Sequence, residues 1–104
     1  MRIIVKNPSE NAQTLMRRAG YVFQRREGDE MSFVREFARS GFPRFHAYVR
    51  TESIEMTINF HLDAKRETYG ESTRHHGEYE NDGPLAEEAK RLVTLCGERA
   101  SIVV

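Results

Sequence analysis

Apolar and polar residues alternate strictly from Ile54 to Asp63, with Ile54, Met56, Ile58, Phe60 and Leu62 on one side and Glu55, Thr57, Asn59, His61 and Asp63 on the other. A period of two marks a half-buried strand, so one face of this element meets the core and the other meets water or a ligand. Pro43 to Arg50 reads as the strand before it, and Thr51 to Ser53 turns one into the other. Tyr21 to Arg26 and Met31 to Ala38 are two further expected strands, joined by a Gly28-Asp29 hairpin signal and followed by Arg39-Ser40-Gly41. Four strands with tight connections predict an antiparallel meander.

The period changes toward both ends of the chain. Ala12, Leu15, Met16 and Ala19 recur at i, i+3, i+4 and i+7, one face of a helix, and Gly20 supplies the left-handed residue that ends it. The start of this helix is read at Asn7 as cap and Pro8 as first helical residue, with Glu10 completing a box-like signature. Pro84 opens a second helix whose stripe is Leu85, Ala89, Leu92, Val93 and Cys96, and Gly97 closes it. Arg2 to Lys6 is a β-branched run expected as a first strand, and Ile102-Val103-Val104 could pair as a last one. The order is β-α-β-β-β-β-α with room for a final β. Each helix has a single stripe and each strand one apolar face, so the expected fold is α+β, a two-layer sandwich with a mainly antiparallel meander sheet and both helices on one face. The other sheet face is left open, or covered only by the polar connection 64–83, which apart from Tyr69 and Tyr79 is almost without apolar residues. A connection of that length inside a small domain is usually functional or disordered.

Size and charge narrow the classes of function. At 104 residues the chain is expected to be one domain, 1–104. Sixteen basic residues balance sixteen acidic ones, so no global field draws it to nucleic acid or anionic lipid, and nucleic acid binding would need a local patch. No apolar run approaches bilayer length, and the first residues are too soon interrupted for a signal peptide, which leads to the expectation of a cytoplasmic protein with no membrane contact. Cys96 is the single cysteine, among Leu92, Val93 and Leu95, and reads as a small core residue.

Candidate chemistry follows from the register of the last hairpin. With Glu52 and Ser53 as the central turn residues, Phe45 faces Phe60, Ala47 faces Ile58 and Val49 faces Met56, so the apolar sides agree. The other side then pairs Arg44 with His61, His46 with Asn59, Tyr48 with Thr57 and Arg50 with Glu55. Continuing through Ser40-Gly41 puts Arg35 beside His46 and Phe33 beside Tyr48. The expected ligand-binding patch is Arg35, Arg44, His46, Tyr48, Asn59, His61 and Asp63, joined by Lys65, Tyr69, His75, His76 and Glu78 if the long connection folds back. Guanidinium groups can hold an anion bidentately, and imidazoles can donate to it, so a small polar or anionic ligand is the leading reading.

Three rivals use the same residues. His61 or His46 could act as catalytic acid and base in a hydrolase or phosphoester-cleaving enzyme. A divalent metal could sit on His61, Asp63 and His75, though the spacing matches no established signature. The exposed strands from Tyr21 to Ala38 could serve self-association, giving a homo-oligomer, or dock a partner. Two weaker signals are Asp63-Ala64-Lys65, an echo of metal-dependent nucleases that is common by chance, and Phe33, Phe37 and Tyr48 among Arg35, Arg44 and Arg50, which resemble a base-stacking platform. Against all of these stands the bland alternative, that a wet strand face is often rich in His, Arg and Thr for solubility alone.

The segments Phe45-His46-Ala47-Tyr48, Phe60-His61-Leu62-Asp63-Ala64-Lys65, Thr68-Tyr69 and His75-His76-Gly77-Glu78-Tyr79 resemble those of small bacterial proteins with an FHLDxK…Y…HxGEY segment, His75 taking the histidine position. Ile3-Ile4-Val5-Lys6-Asn7-Pro8 and Met16-Arg17-Arg18-Ala19-Gly20-Tyr21 carry the resemblance over most of the chain. No activity is established for that family. The resemblance implies a shared site and transfers no function.

Overall fold

A computed structural model describes residues 1–37, 42–63 and 83–103. The elements are β1 (Arg2–Lys6), α1 (Ala12–Arg18), β2 (Val22–Glu27), β3 (Glu30–Glu36), β4 (Arg44–Glu52), β5 (Glu55–Asp63), α2 (Pro84–Cys96), a 3-10 turn (Gly97–Arg99) and β6 (Ala100–Val103). They form a six-stranded sheet in the order β2-β3-β4-β5-β1-β6, with every neighbouring pair antiparallel. The expected α+β order is present, and the last apolar run does form a strand. No helix among the described residues is long and apolar enough to cross a membrane.

Alternation decides which residues the helices cover. Ile3, Val5, Phe33, Phe45, Ala47, Val49, Met56, Ile58 and Phe60 all face one side and are buried with Ala12, Leu15 and Met16 of α1 and Leu85, Ala89 and Leu92 of α2. Both helices therefore lie on that face. Val93 and Cys96 pack against the cluster from its margin. Burial raises the Cys96 thiol above its ordinary value, which keeps it protonated and fits the core role.

The helix start differs from the sequence expectation. Asn11, not Asn7, is the cap: its side chain accepts a 2.8 Å bond from the Thr14 N–H, the third helical donor. Asn7 takes a left-handed φ of 49° at the end of β1, and Glu10 pairs with Arg18 instead of closing a box. At the other end the Gly20 and Tyr21 N–H groups donate to Arg17 and Met16 carbonyls, a Schellman closure that needs the left-handed φ of 94° at Gly20.

Two registers also differ. The β4–β5 turn is centred on Ser53 and Ile54, with Ser53 at φ 55° and the Asn7 N–H donating to the Ile54 carbonyl at 2.7 Å. The two-residue shift keeps the paired side chains on their expected faces but changes their partners: His46 opposes His61, Arg44 opposes Asp63 and Tyr48 opposes Asn59. Ile54 leaves the core face for the turn and is 64% exposed. Between β3 and β4 the shift is a single residue, with Arg35 opposite Phe45 and the Phe37 N–H donating to the Pro43 carbonyl; the expected turn at Ser40-Gly41 lies outside the described residues. Parity reverses there. Phe33 and Arg35 face the helices, while Ser32 and Val34 sit beside Tyr48 and His46.

Equilibrium denaturation should separate the two ends of the alternating run. Phe60→Ala empties a sealed core position and should cost about 3–5 kcal/mol, whereas Ile54→Ala should change stability by less than about 0.5 kcal/mol.

Candidate functional site

On the sheet face opposite the helices, three side chains from β4 and β5 meet at the carboxylate of Asp63. Antiparallel pairing puts His46 and His61 directly opposite, and residue 63 follows residue 61 on the same face. His61 Nε2 lies 2.9 Å from Asp63 Oδ1, and His46 Nδ1 lies 3.3 Å from Asp63 Oδ2. Arg44 Nε is 3.4 Å from that second oxygen, and its guanidinium lies over the Phe42 ring. Tyr48 completes the floor, its ring stacked on His46 with centroids 4.5 Å apart and more distantly on His61.

The environment fixes the protonation of the carboxylate. Burial pulls the Asp63 value upward, but hydrogen bonds from His46 and His61, and then their charge, outweigh it and hold the group well below the usual carboxylate range. With Asp63 ionised, the ring nitrogen each histidine turns toward it carries a proton and donates. That leaves His46 Nε2 on the far side of its ring, almost sealed from solvent and with no hydrogen-bond partner among the described residues. Burial, followed by the Asp63 charge, raises the Tyr48 phenol, so it remains a hydroxyl.

The expected patch is therefore partly assembled and partly rearranged. Arg44, His46, Tyr48, His61 and Asp63 come together; Asn59 shares their face but accepts from Arg2 Nε at 2.9 Å. Arg35 does not join them, for the parity reason given above. Lys65, Tyr69, His75 and Glu78, with the rest of the connection through 82, lie outside the described residues. Of the expected metal donors, His61 and Asp63 meet, with His46 within reach of both, and His75 lies outside the described residues. The base-stacking platform is not formed as expected: Phe33 is buried in the core and Phe37 packs on Phe45, leaving Tyr48 on the face opposite the helices.

A second polar cluster lies beneath α2, and the sequence reading missed it. Glu88, buried, accepts from Tyr21 Oη at 2.6 Å, from Arg35 at 3.1 Å and from Arg91 at 2.9 Å through two nitrogens. Arg91 also donates to the Ala19 carbonyl at 2.6 Å, so one side chain binds the end of α1 to α2. The signal was present in the spacing: Glu88 stands at i+3 from Leu85 and i−4 from Leu92, on the apolar stripe itself. A groove of about 830 Å³ opens beside this cluster, between α2 and the end of β3. The cluster's bonds tie α2 to the end of α1 and to β3, a structural role, while Arg35 Nε is buried there without a partner among the described residues.

No family model matches the chain, and no curated protein or solved structure matches it either. The chemistry of the site rests on its own geometry.

Glu88 gives the network a defined pH dependence. Burial raises its value, but bonds from Arg91 and Tyr21 and the nearby guanidinium charges outweigh that and lower it overall. Its contribution is whole above the unfolded glutamate value of about 4.3 and is lost as pH falls through the lower folded value. Stability of the native protein should thus fall more steeply below about pH 4.3 than that of Glu88→Gln. At neutral pH Glu88→Ala, which strands two guanidinium groups, should cost about 3–5 kcal/mol by denaturant titration.

Proposed function

We propose that this protein binds a small polar or anionic ligand on the sheet face opposite the helices, at Arg44, His46, His61 and Asp63. Convergence supports the reading: two imidazoles and a guanidinium compete for the two oxygens of one carboxylate. Arg44 and Asp63 cancel in formal charge, and any proton taken up by either imidazole makes the cluster positive. An incoming anion would draw ring N–H groups and the guanidinium into charge-assisted bonds, stronger than neutral ones.

One feature favours a catalytic variant of the same site. Asp63 beside His61 Nε2 orients the more exposed of the two imidazoles, as the carboxylate partner of a general base for hydrolysis or phosphoester cleavage does, with His46 beside it. Self-association is a different kind of reading, supported by β2, an edge strand exposed along its length. The irregularity between Phe23 and Arg25 bends that edge and works against extended pairing.

Thermal unfolding with phosphate, sulfate and nucleotides is the direct test. A ligand at 100 times its dissociation constant should add about 2.7 kcal/mol and raise the melting temperature in step with concentration. Arg44→Ala and His61→Ala should abolish the response. A flat response to all these anions, with an elution volume that depends on protein concentration, would replace the ligand reading with self-association.

A further inference from the structure

We infer that His46, His61 and Asp63 form a binding site for a divalent transition metal, which in turn holds the anion; the inference rests on the ligand-binding reading above. One donor atom from each of the three residues lies within 4.8 Å of the others, and this is the one such group of His, Cys, Asp or Glu among the described residues. The spacing suits an ion. Metal bonds of about 2.0–2.2 Å place neighbouring donors about 2.9–3.5 Å apart; His61 Nε2 stands 2.9 Å from Asp63 Oδ1 and His46 Nδ1 3.3 Å from Asp63 Oδ2, one imidazole on each carboxylate oxygen. An ion could take the place of the two protons now shared with the carboxylate with little movement of the side chains.

The donor types select the metal. Two imidazole nitrogens with one carboxylate oxygen suit zinc, iron(II), cobalt, nickel or manganese, and disfavour magnesium and calcium, which prefer all-oxygen shells. Three protein donors leave coordination positions for an external ligand. Arg44 beside Asp63 is placed to orient the carboxylate, as outer partners of metal ligands do. Strand pairing and the stack on Tyr48 hold the rings before any ion arrives.

Charge is the strongest argument. In a purely organic anion site Asp63 is a liability, because its negative charge repels the ligand. As a metal ligand it has the opposite effect: a divalent ion on a monoanionic donor set leaves a net positive charge, and Arg44 adds another. The carboxylate that weakens the first kind of site is required by the second.

The test uses tag-free protein stripped with a chelator at neutral pH. Titration with cobalt(II), followed by visible absorption, and with zinc, nickel, manganese and magnesium, followed by calorimetry, should show stoichiometric binding of the transition metals and none of magnesium. Asp63→Asn and His61→Ala should each weaken cobalt binding by more than about 100-fold, beyond the 10–100-fold typical of outer partners, with the circular dichroism spectrum unchanged. If His61→Ala loses the sheet, His61→Gln serves instead. Absence of binding, or binding that survives these substitutions, overturns the inference. The two readings separate cleanly: a phosphate response in stripped protein that binds no metal leaves only the ligand reading, and stoichiometric metal with no anion response leaves only the metal site.

Discussion

Ser53 adopts a left-handed backbone where β4 turns into β5, and the Asn7 amide grips the next carbonyl, so the count of residues across that turn is fixed. Every other property of the hairpin follows from the count. Phe45, Ala47, Val49, Met56, Ile58 and Phe60 are sent toward the helices as a set, and His46, Tyr48, His61 and Asp63 are sent outward as a set. Core and site are two readings of one alternation, and neither can move to the other face without moving its counterpart. The hairpin is also tied to the rest of the sheet through β1, whose Arg2 reaches Asn59 and whose amino terminus donates to the Phe60 carbonyl.

Glu88 and Asp63 make an instructive contrast. Glu88 is sealed beneath α2 and meets Tyr21, Arg35 and Arg91 with its bonding capacity filled, so it acts as a clamp between helices and sheet. Asp63 stands on the sheet face opposite the helices with three competing partners, two of them able to exchange protons. The first arrangement is closed to further chemistry, and the second is not. Such a difference, rather than the presence of charge, marks one cluster as architecture and the other as a candidate site.

Much of the fold was legible in the residue pattern, because hydrophobic period is a local property. The stripe of α1, the alternation of β5, the Gly28-Asp29 hairpin and the Pro84 and Gly97 bounds of α2 all depend on near neighbours. Features that depend on distant partners were not legible. Asn7 and Asn11 are equally capable caps in isolation, and only the path of β1 into its turn with Ile54 makes Asn11 the one used. The parity of the β3–β4 connection is not encoded in either strand, so Arg35 was assigned to the wrong face. The identity of the site residues survived the β4–β5 error because a shift of two preserves faces, and the true register brings the imidazoles closer than the expected one did.

The position of β4 and β5 in the sheet has a further bearing on how the site behaves in time. They are the innermost strands, with β3 and β2 on one flank and β1 and β6 on the other. Fraying begins at rims, and the rims here are remote from the imidazoles. Breathing of the outer strands can therefore come and go without dispersing the cluster, which should persist until the whole sheet opens.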